Sequence, residues 1–297
     1  MSGLLQKAGG CFLLPETELN PELMAAFGVD APKHICETPI AHIWRVDRSP
    51  GSYAALKIYK DGDMHNEAAG LKFMARMDGR STAKIYRTHN GAVLMEWLDG
   101  PSLGDVSRGG DDIMALNNLI DVAKTVHAKP HLDGDYPPLS GWFEDLFNLD
   151  FSPNCNPKSK AIVQKCQSLG RTFIDSQRDL RALHGDLHHD NVLKGKRGYC
   201  IIDAKGVYGE RAYELANAVR NPVGADTLLR EKSRILRYCR TISSEFDVDY
   251  QRFWGCVLAH CSLSIAWRCS GTLAHDEDLD LLAIMFDLAK QEGLSFD

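Results

Sequence analysis

The chain of 297 residues is long enough for one large domain or two lobes around a sizeable core, and its 44% apolar and 25% charged residues are ordinary globular values. With 34 Lys and Arg against 40 Asp and Glu, the net charge of −6 lacks the basic footprint of a nucleic-acid binder and suits, weakly, a cationic small substrate. No run approaches the roughly 18 apolar residues of a membrane-spanning helix.

The apolar run at residues 11–14 is too short for a secretion signal and is followed by Pro15 and Glu16, so the chain is expected in the cytoplasm, away from membranes. A short helix is expected over 21–27. A first hairpin begins with residues 35–46, which hold Thr38-Pro39-Ile40-Ala41-His42. Residues 53–59 alternate as a strand, with Leu56 and Ile58 on one side and Ala55, Lys57 and Tyr59 on the other. The next helix is expected over 64–77. Its Glu67 shares the inward face with Leu71 and Met74, and an inward carboxylate needs a partner. Lys57 is the obvious cation, against the alternative of a surface Glu favoured by the helix dipole. Two strands, 83–87 and 91–95, are joined by a turn at His89-Asn90-Gly91 and run into Glu96-Trp97-Leu98-Asp99-Gly100-Pro101.

From Ser102 the pattern is helical. Ile113, Leu116, Ile120, Ala123 and His127 share one expected core face, with His127 a satisfied core histidine. A loop over 130–138 precedes helices expected over 142–149 and 161–177. After the stretch 184–203, Gly209 to Glu214 is expected to open a helix that Asn221-Pro222 closes. Helices over 228–246, 250–269 and 279–292 complete the chain. The nine cysteines are scattered and odd in number, without a C-x-x-C pair, as in reduced thiols. Cys256, His260 and Cys261 come nearest to a cluster, and on a helix they are expected to pack rather than bind zinc.

The chemistry concentrates in 184–203, HGDLHHDNVLKGKRGYCIID. Two apolar runs split by Gly195-Lys196-Arg197-Gly198 predict a β-hairpin, whose open end sets Asn191 beside Asp203 with Asp186 just ahead. Two carboxylates and an amide oxygen at one point suit Mg²⁺, with one carboxylate left as a base. His184, Asp186 and Asn191 keep the register of the kinase catalytic loop H-R-D-x-x-x-x-N, and Asp203 falls where the metal-binding Asp of D-F-G falls. The alternative is a surface hairpin with solvated acids. After Asp203 comes Ala204-Lys205-Gly206, so the Phe of D-F-G and its switch are absent.

HGDLHHDNVL, followed by IIDAKGVYGERAYELANAVRNP, closely resembles the streptomycin 6-kinase family (aminoglycoside 6-phosphotransferase, or hydroxyurea phosphotransferase), a small-molecule branch of the protein-kinase-like fold. TPIAHIWRV near Thr38 and CSLSIAWRCSG near Ser264 also resemble it, so the likeness covers most of the chain. It implies a two-lobed α+β fold: an N-terminal antiparallel-sheet lobe over 1–96, a hinge over 97–102, and a helical C-terminal lobe over 103–297 carrying the catalytic hairpin. It implies ATP in the cleft, Lys57 held by Glu67 on the α/β-phosphates, and adenine read by the main chain of Glu96 and Leu98. Mg²⁺ would be held by Asn191 and Asp203, with Asp186 as the base and His184 bracing the loop. No G-x-G-x-x-G is present, so Thr38 is a candidate phosphate contact unless it closes a plain turn.

The acceptor implied is a hydroxyl on the streptidine ring of streptomycin or a related cationic molecule. Carboxylates near Asp186 would hold it. Candidates are Glu210 and Glu214, four apart on the expected helix, with Asp133, Asp135, Glu144 and Asp145; the alternative for the two Glu is a solvated face. Trp267 and Trp142 could cover a guanidinium, or sit in the core. The rival functions are a kinase of an amino sugar or ketosamine and a nucleotide-binding pseudokinase, the latter opposed by the complete set Lys57, Glu67, Asp186, Asn191 and Asp203.

Overall fold

The computed structural model describes residues 19–64, 67–128 and 135–296. Helix α1 (Pro21–Phe27) starts on an Asn20 cap with Pro in its first turn and ends at Gly28 in the left-handed region. It covers one face of an antiparallel sheet of five strands, β1 (Asp30–Glu37), β2 (Ala41–Ser49), β3 (Ser52–Tyr59), β4 (Ile85–His89) and β5 (Ala92–Glu96), in the order β1-β2-β3-β5-β4. The alternation of β3 sorts its side chains as its sequence requires. Ala54 and Leu56 join Trp44, Val46 and Leu94 in a small core, while Ala55 and Lys57 face the cleft. Helix α2 (Ala68–Met77) lies on the cleft side and packs Phe73, Met74 and Met77 into the main core.

Residues 97–101 lead into α3 (Leu103–Arg108), whose Ser102 and Asp105 form a reciprocal capping box. The large lobe follows: α4 (Asp112–His127), α5 (Ser140–Phe147), the short strand β6 (Asp150–Phe151), α6 (Pro157–Asp175), then β7 (Leu180–Leu183), the hairpin β8 (Val192–Gly195) and β9 (Gly198–Ile201), and β10 (Val207–Glu210). It closes with α7 (Asp226–Leu229), α8 (Lys232–Glu245), α9 (Tyr250–Cys269), β11 (Thr272–Leu273) and α10 (Leu279–Gln291). The fold is the expected α+β arrangement of an antiparallel-sheet lobe and a mostly helical lobe. Among the described residues no helix is long and apolar enough to cross a membrane.

Both edges of the β8–β9 hairpin are sealed by backbone arriving from the small lobe and from the connector. Ala83 N donates to Ile201 O (2.9 Å) and Ile201 N to Ser81 O (2.8 Å). On the other side Gly100 N donates to Lys194 O (2.8 Å) and Lys194 N to Pro101 O (3.0 Å). The hairpin tip is tied in as well: Arg197 reaches Thr82 O at 3.0 Å and pairs with Glu96. Backbone hydrogen bonds are short-range and directional, so this stitching fixes the register between the lobes.

Three expectations fail here. Ile113 is 56% exposed, because α4 turns Ala115, Leu116 and Leu119 inward instead. Residues 207–220 form no continuous helix: β10 pairs antiparallel with β7, and two short 3₁₀ turns, Arg211–Tyr213 and Ala216–Arg220, follow. Glu210 and Glu214 therefore do not share a helical face. The loop over 130–138 and the run 11–14 lie partly or wholly outside the described residues.

Candidate active site

A cleft of about 640 Å³ of empty space, partly open to solvent, lies between the lobes and is lined by Ala55, Lys57, Met95, Leu98, Ile202 and Asp203, among others. Lys57, only 4% exposed, forms a buried ion pair with Glu67 and stands 3.7 Å from Asp203 Oδ1. Tyr59, two residues on and on the same face of β3, donates its hydroxyl to Glu67 Oε2 at 2.7 Å. Burial, and then the Glu67 charge, push the Tyr59 phenol far up, so it stays a donor. Glu67 thus holds Lys57 with one hand and is itself held by Tyr59. Sequence reasoning missed Tyr59, although its period-2 placement beside Lys57 was the available signal.

Helix α2 is pressed against the strand-end segment after Asp203. A Cβ on Gly70 would lie 1.6 Å from Ala204 O, and one on Gly206 (φ +67°) would lie 2.4 Å from the Ala69 carbonyl carbon. The two glycines let backbone meet backbone. Glu67 and Asp203 are consequently parts of one rigid body.

The candidate catalytic loop is held from within and from below. His184 Nε2 donates to Ile202 O (2.9 Å), and its Nδ1 accepts Asp186 N (3.1 Å), which fixes one neutral tautomer. Burial lowers the His184 pKa against the pull of Glu214. From below, Glu214 accepts His184 N (3.0 Å), Gly185 N (3.1 Å) and His127 Nε2 (2.6 Å). Burial alone would raise the Glu214 pKa; its bond to His127 and the other donors outweigh that and lower it.

Asp186 Oδ1 accepts Asn217 Nδ2 at 2.7 Å, and Asn191 Nδ2 donates to Asp186 O at 2.8 Å. Asn221 Nδ2 donates to Asn217 Oδ1 (2.9 Å), which turns the Asn217 amide so that its NH₂ meets Asp186. Burial works to raise the Asp186 pKa, but His188 and Lys205 outweigh it, and the carboxyl sits below its ordinary value and is ionised. Gly185 has φ +86°, and a Cβ there would strike Trp142 and Val207 at 2.9 Å, so the turn that presents Asp186 requires glycine.

The hairpin brings the two candidate metal ligands, Asn191 and Asp203, together as its turn predicts. Val192 pairs with Ile201, and Ile202 N donates to Asn191 O at 2.9 Å, which brings Asn191 and Asp203 to the same open end. With its Nδ2 spent on Asp186, Asn191 keeps a buried Oδ1 that has no hydrogen-bond partner. A bare buried acceptor beside a carboxylate is what a hard cation would satisfy. Asp203 has φ +58°, an uncommon left-handed value for a residue other than Gly, of the kind that clusters at functional sites.

Several proposed site residues lie elsewhere. Glu210 is buried against Arg252, whose Nε donates to its Oε1 at 2.9 Å, and it also accepts Arg178 N at 3.0 Å. Glu214 is the loop brace. Neither faces an acceptor, because both are consumed by interior donors. Thr38 closes a turn: its hydroxyl accepts Ala41 N (2.9 Å) and donates to Ala41 O (3.0 Å), so it is spent before it meets a phosphate. The Glu96 side chain is held by Arg197 and Lys84 N, and Leu98 lines the cleft wall. Glu144, Asp145 and Asp135 are exposed, and Asp133 lies outside the described residues.

Trp142, which packs against Gly185, meets Trp267 edge to face at 5.7 Å, and Trp267 is 41% exposed rather than in the core. His260 Nδ1 bonds the Tyr213 hydroxyl at 2.6 Å and lies 6.2 Å from the Trp267 ring. Burial, then Arg220, hold His260 down to about 3, so it is neutral. Asp276 and Asp278 are buried nearby. Arg268 pairs with both, and Arg220 reaches Asp278 at 2.7 Å. Asn217 and Arg220 stand in the quoted stretch ANAVRNP, but nothing in spacing alone singled them out.

The family model for aminoglycoside/hydroxyurea antibiotic resistance kinases matches residues 28–271, and the chain belongs to that family. It is 31% identical over 220 residues to the streptomycin 3''-kinase of Klebsiella pneumoniae, covering 72% of this chain and 79% of the relative. It is 24% identical over 224 residues to the streptomycin 6-kinase of Streptomyces griseus, covering 74% and 72%. In fold it is similar to an aminoglycoside phosphotransferase solved with ADP and hygromycin B, with a TM-score of 0.57, 10% identity, and 92% and 98% of the two chains covered. It is also similar to a choline/ethanolamine kinase family protein from Mesorhizobium loti, with a TM-score of 0.61, 13% identity, and 90% of each chain covered.

Proposed function

We propose that this kinase-family chain transfers the γ-phosphoryl group of ATP to a hydroxyl of streptomycin or a closely related cationic aminocyclitol. The observation that carries this is Asp186, aimed by Asn217 and bonded to Asn191, whose hairpin neighbour Asp203 lines the cleft beside Lys57. Lys57, fixed by Glu67, would hold the α/β-phosphates, and the connector backbone at Glu96 and Leu98 would meet the adenine edge. Asn191 Oδ1 and Asp203 fit Mg²⁺, which takes few protein ligands and completes its shell with phosphate oxygens and water. Bound there, Mg²⁺ would neutralise charge on the phosphates. Asp186 orients the acceptor hydroxyl and accepts its proton as the oxygen attacks phosphorus.

The Trp142–Trp267 pair favours a guanidinium-bearing ring beside Asp186, since aromatic faces attract such cations by about 0.5–2 kcal/mol. Asp145, exposed and three residues after Trp142 on the same helix, would be a carboxylate for such a cation. This supports a hydroxyl of the streptidine ring. A second reading, the 3'' hydroxyl, is favoured by the 31% identity to a streptomycin 3''-kinase. Incubating the chain with ATP, Mg²⁺ and streptomycin should give ADP and a monophosphorylated product, whose phosphorus–proton couplings identify the position modified. If ATP is bound but streptomycin and its relatives are returned unmodified, the acceptor assignment is wrong.

A further inference from the structure

The segment after Asp203 carries a charge, already seen acting on Asp186, to which no contact with the nucleotide has been given. Lys205 Nζ lies 3.1 Å from Asp203 Oδ2, while Lys57 approaches the other oxygen, Oδ1, at 3.7 Å. The Lys205 side chain is 20% exposed, and its stem passes Gly185, the residue that turns the chain into Asp186. Its charge acts on Asp186 and Glu67 as well as on Asp203. Its backbone is fixed, because Lys205 N donates to His184 O at 2.8 Å. The ammonium, on a flexible four-carbon stem, is thus anchored at its base between the acceptor-side carboxylate and the cleft-side carboxylate.

The small lobe leaves a need for such a charge. The β1–β2 turn that would cover the phosphates has no glycine-rich loop, and its Thr38 hydroxyl is spent within the turn. We propose that Lys205 is a catalytic residue that leaves Asp203 Oδ2 when nucleotide enters and donates to the oxygens of the transferring γ-phosphoryl group. The inference rests on the phosphotransfer reading. In the step, the acceptor oxygen forms a bond to the γ-phosphorus as the bond from that phosphorus to the β,γ-bridging oxygen breaks. The acceptor proton passes to Asp186, and ADP leaves with the bridging oxygen. Lys205 keeps its proton and supplies positive charge and hydrogen bonds to oxygens whose charge is redistributed in the transition state. With the phosphoryl group absent, the same ammonium stays paired with Asp203 Oδ2.

The test compares wild type, Lys205→Met and Lys205→Arg as full-length chains, each checked for a cooperative thermal transition. Two quantities are read: kcat and KM with acceptor, and the ratio of affinities for Mg²⁺-AMP-PNP and Mg²⁺-ADP without acceptor. Lys205→Met should lower kcat about a hundredfold with KM for ATP little changed, and Lys205→Arg should recover most of it. The Met variant should also lose the wild-type preference for AMP-PNP over ADP while binding ADP normally. An unchanged affinity ratio, or ADP binding weakened as much as AMP-PNP binding, overturns the assignment and leaves Lys205 as a partner of Asp203. A wild type that binds neither nucleotide overturns the phosphotransfer reading and the role of Lys205 together. A wild type that binds both but modifies no acceptor removes only the acceptor assignment, and the affinity ratio still decides Lys205.

Discussion

Two buried glutamates flank the proposed catalytic loop, and they work differently. Glu67, from the small lobe, holds side chains: the Lys57 ammonium and the Tyr59 hydroxyl. Glu214, from the large lobe, holds backbone: the amides of His184 and Gly185, with His127 as a third donor. The first positions a charge that can be used on a ligand; the second positions the chain that presents Asp186. An interaction of the Glu67 kind should therefore register mainly in ligand binding and turnover, and one of the Glu214 kind mainly in stability.

The sharpest break is made at Asp186, the group that the Glu214 half presents. Asp186→Asn keeps the shape and leaves both glutamates in place, but removes the proposed base and its charge. Turnover should fall by about 10²–10⁴-fold, the usual contribution of a positioned general base, with the thermal midpoint nearly unchanged. Turnover within threefold of wild type would take Asp186 out of the chemistry.

The comparison itself is broken by exchanging the two losses. Glu214→Ala strands two buried amides and His127, and removing one partner from such a cluster costs about 3–5 kcal/mol. Glu67→Ala strands Lys57, but Asp203 stands 3.7 Å away as an alternative counter-ion, so the fold should lose less and the kcat/KM for ATP more. Denaturant unfolding and steady-state kinetics on both variants measure this. If Glu67→Ala proves the more destabilising and Glu214→Ala the more damaging to ATP use at full stability, the division is wrong.

The same contrast explains what the sequence made legible. Glu67 was found because a helix face and a strand face each have a fixed period, so two side chains pointing into one gap can be inferred from spacing. The hairpin of Asn191 and Asp203 was legible for the same reason, through its turn and its two apolar runs. Glu214 was misplaced because its carboxylate bonds backbone amides thirty residues away, from a 3₁₀ turn with no face to read. Arg234 is a further case: fully buried, it pairs with Asp112 and holds Val219 O and Asn221 O, which steadies the segment that aims Asn217 at Asp186. Side chains that serve main chain carry no periodic signal. The contact of Gly70 with Ala204 was equally silent, being a matter of what is missing from a side chain.

A subtler measurement sharpens the Glu67 half. Lys57→Met and Glu67→Gln each remove one member of the pair, so in a double-mutant cycle on kcat/KM for ATP the double variant should be little worse than the weaker single. The coupling should be about 1–3 kcal/mol, as for contacting residues in one network. Additive losses would mean that Lys57 acts without Glu67, and that Asp203 alone suffices to hold it.

The smallest expected effect separates the Glu214 half by pH. Burial first of all lowers the pKa values of His184, His188 and His189, and with the help of Arg220 brings His260 to about 3. A group whose pKa is depressed on folding contributes stability that is present above its unfolded value, here 6.5, and is lost as pH falls through the folded value. Stability should therefore decline from just below pH 6.5, as the unfolded chain takes up protons that the folded chain refuses. Glu214 obeys the same sign in a lower window. Its donors hold its pKa beneath 4.5, so its contribution is present above pH 4.5 and is lost only as the pH falls further. Glu214→Gln, which keeps one acceptor oxygen but cannot ionise, should lower the midpoint at neutral pH, keep a decline below 6.5, where His184 loses the upward pull of the charge, and flatten the decline below 4.5. Thermal midpoints from pH 8 down to pH 3.5 on wild type and variant would show this. Identical slopes below 4.5 would mean that the Glu214 charge contributes nothing, and that the brace holds His184 and Gly185 by shape and hydrogen bonding alone.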